Sequence, residues 1–210
     1  SELMTLFLSV ALYGESPLEP IQILWINLVT GAMVAIPLGL EPGSGQELNQ
    51  PPRDPSVGLL YPGMILRIIS TGFIVSMLIT WIFHHAPIPL SSDGSAVHAI
   101  RQTMAFTSIV IFEWFFAFQS RSPEKGVWEL GFLGNRWLLM CMVLGLGQQM
   151  FVVYLPLAND IFHTRPLTHA EWLWTLLPGV SLVMMEAVRK RFAPNLFGAG
   201  QWTPLIKNRK

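Results

Sequence analysis

A few oxygen-bearing side chains stand where the surrounding sequence is almost wholly apolar. Asn27 and Thr30 sit inside ILWINLVTGAMVAIPLGLEPG, and Glu113 sits inside AFTSIVIFEWFFAFQS. Gln148 and Gln149 interrupt a third apolar run, Glu2 heads a short one, and Glu186 lies near the end of another beside Arg189 and Lys190. Asn27 and Thr30 are three positions apart, an advance of about 300° round an α-helix, so they share a face. Amide, hydroxyl and carboxylate oxygens are the ligands that hard cations prefer. Gly31 and Pro37 weaken the same helix, and a locally unwound turn there would add free backbone carbonyls. The same neutral oxygens would also serve as hydrogen-bond glue between helices. Glu113 tilts the balance toward an ion, because a carboxylate at mid-depth in hydrocarbon is costly unless a proton or a cation stands beside it. Glu186 has a plainer role open to it, pairing with Arg189 one turn away or reaching the interface. The glutamine pair shares its run with Gly145 and Gly147, a small polar face suited to helix packing.

The elements that must position these groups follow from composition. Of 210 residues, 51% are hydrophobic and 12% charged, where an average soluble domain has about 25% charged. The apolar residues come in blocks of about 20, long enough at ~1.5 Å per residue to cross a hydrocarbon core of about 30 Å. Full spans are expected at 21–40, 64–83, 102–119, 137–155 and 172–188. The first run, 3–13, is half a span before Gly14, Glu15 and Pro17 interrupt it. It is either the end of a membrane helix from a larger protein or a short re-entrant or interfacial segment. No basic leader or small-residue cleavage site accompanies it, which argues against a signal peptide. The expected fold is an all-α polytopic membrane bundle, a partial helix followed by five full transmembrane helices over 1–192, with a polar tail over 193–210.

Formal net charge is zero, but its distribution is uneven. Arg53, Arg67, Arg121, Lys125, Arg136, Arg189, Lys190, Arg191, Lys207, Arg209 and Lys210 fall on one side of the expected spans, and Arg101 and Arg165 on the other. Excess Lys and Arg marks the cytoplasmic face, so the C-terminus is expected there. The two outer loops then hold all five histidines, and the adjacent His84 and His85 lack the spaced partners of a metal site. Cys141 is the single cysteine, which excludes an intrachain disulfide. Trp81, Trp128, Trp137, Trp172 and Trp174 lie near span ends, as interfacial anchors do.

One run of motifs is more specific. PLEPIQILWINLVT, LGLEP and QPPRDP resemble the fifth-to-sixth helix region of P-type cation-transporting ATPases, the group that includes the calcium pumps. FEWFFAFQSRS and PLTHAEWLW match the later helices more loosely, so the resemblance covers nearly the whole chain as the tail of the fifth transmembrane helix through the tenth. It implies that Asn27 and Thr30 are cation ligands on the sixth helix, that Glu2 is the fifth-helix glutamate ligand, and that Glu113 is the eighth-helix carboxylate. One departure matters. Calcium pumps carry Asn-x-x-Thr-Asp on the sixth helix, and here Gly31 follows Thr30, so a bridging carboxylate is missing.

The resemblance further implies a module of an ATP-driven pump of the cell membrane, transporting calcium or another cation. The chain contains no Asp-Lys-Thr-Gly-Thr phosphorylation motif, no Thr-Gly-Glu-Ser loop and no soluble stretch able to fold a nucleotide domain, so catalytic and nucleotide-binding residues are not expected in it. Mg-ATP would belong to the parent protein, whose catalytic parts would precede Ser1. The expected partners are the bilayer and the parent's N-terminal helices and cytoplasmic domains, with no nucleic acid. The reading from another class is a passive ion-binding or structural membrane module without ATP-driven transport.

Overall fold

A computed structural model describes residues 1–41, 62–88, 94–121 and 131–192, and among these every regular element is helical. The QPPRDP motif, Lys125, Trp128 and the tail over 193–210 lie outside the described residues.

Local chemistry sets the helix ends. Helix α1 (Glu2–Tyr13) stops at Gly14, which takes the left-handed conformation at φ 73° and returns its N–H to Val10 O at 3.0 Å. Helix α2 (Pro20–Gly39) starts with proline in its first turn, and Glu19 and Gln22 form a reciprocal capping box. Helices α3 (Pro62–His85) and α4 (Gly94–Ser120) follow. Asn135 caps α5 (Arg136–Tyr154) through its Oδ1, which accepts from Leu138 N at 2.9 Å. An extended residue, Leu155, separates α5 from the short α6 (Pro156–Phe162), and α7 (His169–Phe192) completes the described chain.

The spans expected from apolarity reappear with shifted ends. Four helices, α2 to α5, are long and apolar enough to cross a membrane. Helix α7 has the length, at 24 residues, but its tryptophans, Pro178, Glu186 and Arg189 dilute its apolar content and it is not among the four. The expected count of five full spans is therefore four on this measure. Helix α4 begins eight residues before the expected 102, because no breaker follows Gly94 and Thr103 Oγ1 donates back to Ala99 O at 2.8 Å.

Helix α4 is the axis of the bundle. Its apolar window is 78% buried, against 22–33% for the other three. Phe106, Ile109, Val110 and Trp114 of α4 pack with Val75, Ile79 and Phe83 of α3, Leu182 of α7, Val152 of α5 and Ile26 of α2. Two glycines permit close crossings on α4. A Cβ at Gly145 would stand 2.9 Å from the Trp114 ring, and one at Gly179 would stand 2.4 Å from the Phe115 ring. Gln149 of α5 donates to Thr107 Oγ1 of α4 at 3.0 Å, the interhelical glue expected of the glutamine pair. Leu24, Leu28 and Ile36 of α2 and Val143, Leu144 and Phe151 of α5 face outward, as side chains exposed to lipid or to further helices do.

Glu186 pairs with Arg189 at 2.8 Å, as expected. It is 2% exposed and is clamped from the other side by Arg67 of α3, 3.0 Å away. At the opposite end of the bundle His84 finishes α3 rather than lying in a solvated loop. Its ring stacks on Tyr13 at 3.6 Å between centroids and meets Ser9 Oγ through Nε2 at 3.3 Å.

Candidate cation site

The polar pair of α2 lies on a π turn. Between two α-helical stretches, Ile26–Thr30 forms i→i+5 bonds, with Gly31 N donating to Ile26 O. Such single turns insert one extra residue into a helix and occur often at functional sites. The helix is therefore not unwound at Gly31 as expected; it widens one turn earlier, and Gly31 restarts the α ladder. The Asn27 side chain bonds back along the helix, its Nδ2 donating to Ile23 O at 3.0 Å.

The second N–H of Asn27 crosses to α1, where Nδ2 donates to Glu2 Oε2 at 2.6 Å. Both amide protons are then engaged, and Oδ1 is the atom left to accept from or ligate another group. Thr30, one turn on, is 4% exposed and closes the π turn. Helix α4 packs against this turn. From α4 comes Glu113, whose Oε2 is buried without a hydrogen-bond partner.

The structure thus joins Glu2 to Asn27 directly, places Thr30 on the same turn, and packs the helix that carries Glu113 against that turn. Chemically the set comprises two carboxyl groups, one of them with a buried oxygen lacking a donor, plus an amide oxygen and a hydroxyl. A bound cation would supply the missing partner. Among the described residues no three His, Cys, Asp or Glu side chains gather as a metal-binding group, so neutral oxygens would have to complete any coordination. Gly31 has space beside it. A Cβ there would lie 3.4 Å from Ile26 O, an ordinary contact.

Two polar networks escaped sequence reasoning. One is Arg67–Glu186–Arg189, of which only the local half was visible. The other joins Glu41, Arg121 and Asn135, 80 and 94 residues apart. Asn135, directly before the apolar run from Trp137, is a recognisable N-cap signal, and nothing in the pattern links it to Glu41.

Residues 15–192 match the family described as cation transporting ATPase, C-terminus. The chain is 29% identical over 184 residues to the probable cation-transporting ATPase F of Mycobacterium tuberculosis, covering 88% of this chain and 20% of that protein. It is 32% identical over 183 residues to calcium-transporting ATPase 1 of Saccharomyces cerevisiae, covering 87% and 19%. With calcium-transporting ATPase 1 of Bacillus cereus it shares 29% identity over 203 residues, covering 90% and 22%. The protein belongs to the C-terminal region family of the P-type cation-transporting ATPases and is an integral membrane protein. It spans about a fifth of the length of the curated relatives it matches.

Proposed function

We propose that the chain is the membrane module of an ATP-driven cation pump and that Glu2, Asn27, Thr30 and Glu113 supply ligands to the transported ion. The observation that carries this reading is the Glu2–Asn27 hydrogen bond beside Glu113, whose Oε2 is buried and has no partner. Polar groups drawn from three helices of an apolar bundle, Thr30 buried and Glu113 partly so, are costly within a membrane unless they act on a ligand. The names of the yeast and Bacillus relatives support calcium as the cargo. Two carboxylates and two neutral oxygens suit one ion better than two, and they leave a monovalent ion or proton open as cargo.

Phosphorylation by Mg-ATP in domains outside this chain would alternate access to the site, and the chain's own residues would bind and orient the ion. The basic residues at the ends of α3, α4 and α7 support a cytoplasmic C-terminus, and placement in the cell membrane belongs to the same proposal. The test is Glu113→Gln in the full-length pump, read as the half-saturating cation concentration and its dependence on pH. The substitution should weaken cation binding and flatten that dependence. Wild-type values for both would remove Glu113 from the site and leave a packing role.

A further inference from the structure

At the end of α2 remote from its capping box, three helix ends meet around one carboxylate. Glu41 follows α2, Arg121 follows α4 and Asn135 caps α5. Arg121 donates Nε to Glu41 Oε1 at 2.8 Å, places Nη2 2.8 Å from the same oxygen, and donates Nη1 to Gly131 O at 2.7 Å. Asn135 Nδ2 donates to Glu41 Oε2 at 2.7 Å and to Pro37 O at 2.8 Å. The Arg121 side chain is 2% exposed, and the backbone runs so close that a Cβ at Gly134 would lie 2.5 Å from Nη2. One oxygen of Glu41 thus belongs to α4 and the other to α5.

This clasp decides how α2 stands on α4. The stretch Gly31–Gly39 packs on α5 and α4, and the clasp fixes its far end to the same two helices. The other end of α2 is held as well. Gln22 Nε2 donates to Phe162 O at 3.0 Å, Gln102 Nε2 donates to Glu19 Oε1 at 3.3 Å, and Trp25 meets Phe162 edge-on at 4.9 Å. Between the two fixed ends lies the π turn with Asn27 and Thr30, and across from it lies Glu113 on the helix that carries Arg121.

We propose that Arg121 is a positioning residue for cation binding, setting through Glu41 and Asn135 the separation between Asn27 and Thr30 on α2 and Glu113 on α4. The proposal rests on the cation-site reading above. A planar guanidinium gives two directed bonds to one carboxylate and a third to a backbone carbonyl, a geometry that lysine does not reproduce. Without it the polar tie of Glu41 to α4 is lost and that to Asn135 remains, the ligand oxygens sample a wider range of separations, and binding loses preorganisation.

The test uses the full-length pump that carries this region, with calcium as the probe and phosphoenzyme formation from ATP as the readout. R121A should raise the half-saturating calcium concentration about tenfold and leave the maximal phosphoenzyme level unchanged. R121K should recover part of the loss, and E41Q/R121A should be no worse than R121A, because both substitutions break one interaction. If R121A fails to fold, E41Q, which keeps an acceptor for Asn135, carries the same comparison. Wild-type half-saturation in R121A or, failing that, in E41Q overturns the proposal, as does a fall in the maximal level alone. Glu113→Gln in the same assay separates the two readings. If it shifts half-saturation and the clasp variants do not, the clasp proposal alone falls; if it too is silent, the cation-site reading falls.

Discussion

Asn27 Nδ2 donates to Glu2 Oε2 at 2.6 Å, a bond between residues 25 positions apart that ties α1 to the π turn of α2. It spends the amide's donor on the carboxylate and leaves both residues with oxygen to offer. Glu2 has Oε1, and Asn27 has Oδ1. Under the proposed cation-site reading, these two oxygens are the ones the pair would offer to an ion.

Gly31 is where the sixth-helix pattern of calcium pumps is broken, and the structure leaves room for the missing side chain. A divalent ion in a low-dielectric site is stabilised by anionic oxygen. Gly31→Asp in the full-length pump should therefore strengthen calcium binding relative to wild type. Isotope binding on both proteins measures affinity and stoichiometry together. Identical values in a folded variant would mean that this face of α2 does not line the ion path.

Glu186 answers to two guanidiniums, from Arg67 and Arg189, and is 2% exposed. Glu186→Ala would leave both without their carboxylate, a loss that typically costs about 3 kcal/mol when a buried pair is broken. The unfolding midpoint of the purified chain in mixed micelles should fall accordingly. An unchanged midpoint would show that these charges are solvated in the membrane-embedded protein.

The sidedness of the chain rests on its basic residues. In a Cys141→Ala background, single cysteines at Ser92 and Asn208 should react with a membrane-impermeant thiol reagent from opposite faces, Asn208 from the cytoplasm. Labelling of both from one face would refute the arrangement.

No phosphorylation or nucleotide-binding motif occurs in the 210 residues. The isolated chain in liposomes should hydrolyse no ATP and form no acid-stable phosphoprotein. A phosphorylated aspartate detected on it by acid gel would contradict its reading as a membrane module.

The spans were legible because lipid-facing helices are selected for length and apolarity, and those show directly in the sequence. The cation-site residues were partly legible for the complementary reason, that Asn27, Thr30 and Glu113 are expensive where they stand. Their convergence was a matter of family resemblance, since spacing alone does not pair Glu2 with a residue 25 positions on. The π turn was hidden. The sequence around Asn27 is equally compatible with a regular helix. The Glu41–Arg121 clasp was hidden more deeply, because each residue alone is an ordinary charge at the end of a span. Helix α7 has the length expected of a fifth span but not the apolar content, and the expected pairing of Glu186 with Arg189 is present there, with Arg67 added from α3.

The burial of α4 bears on how the chain is made. Gln102, Thr103, Thr107 and Ser108 are all nearly inaccessible in the finished bundle, and Glu113 lies on the same helix. A ribosome delivers α4 before α5 and α7, yet these later helices supply much of its covering, with Trp114 against Gly145 and Phe115 against Gly179. While it waits, α4 offers hydroxyls, an amide and a carboxyl to lipid, each at a cost in free energy. The earlier helices cover part of α4 through Ile26, Val75, Ile79 and Phe83, so its burial is completed only when α5 and α7 emerge.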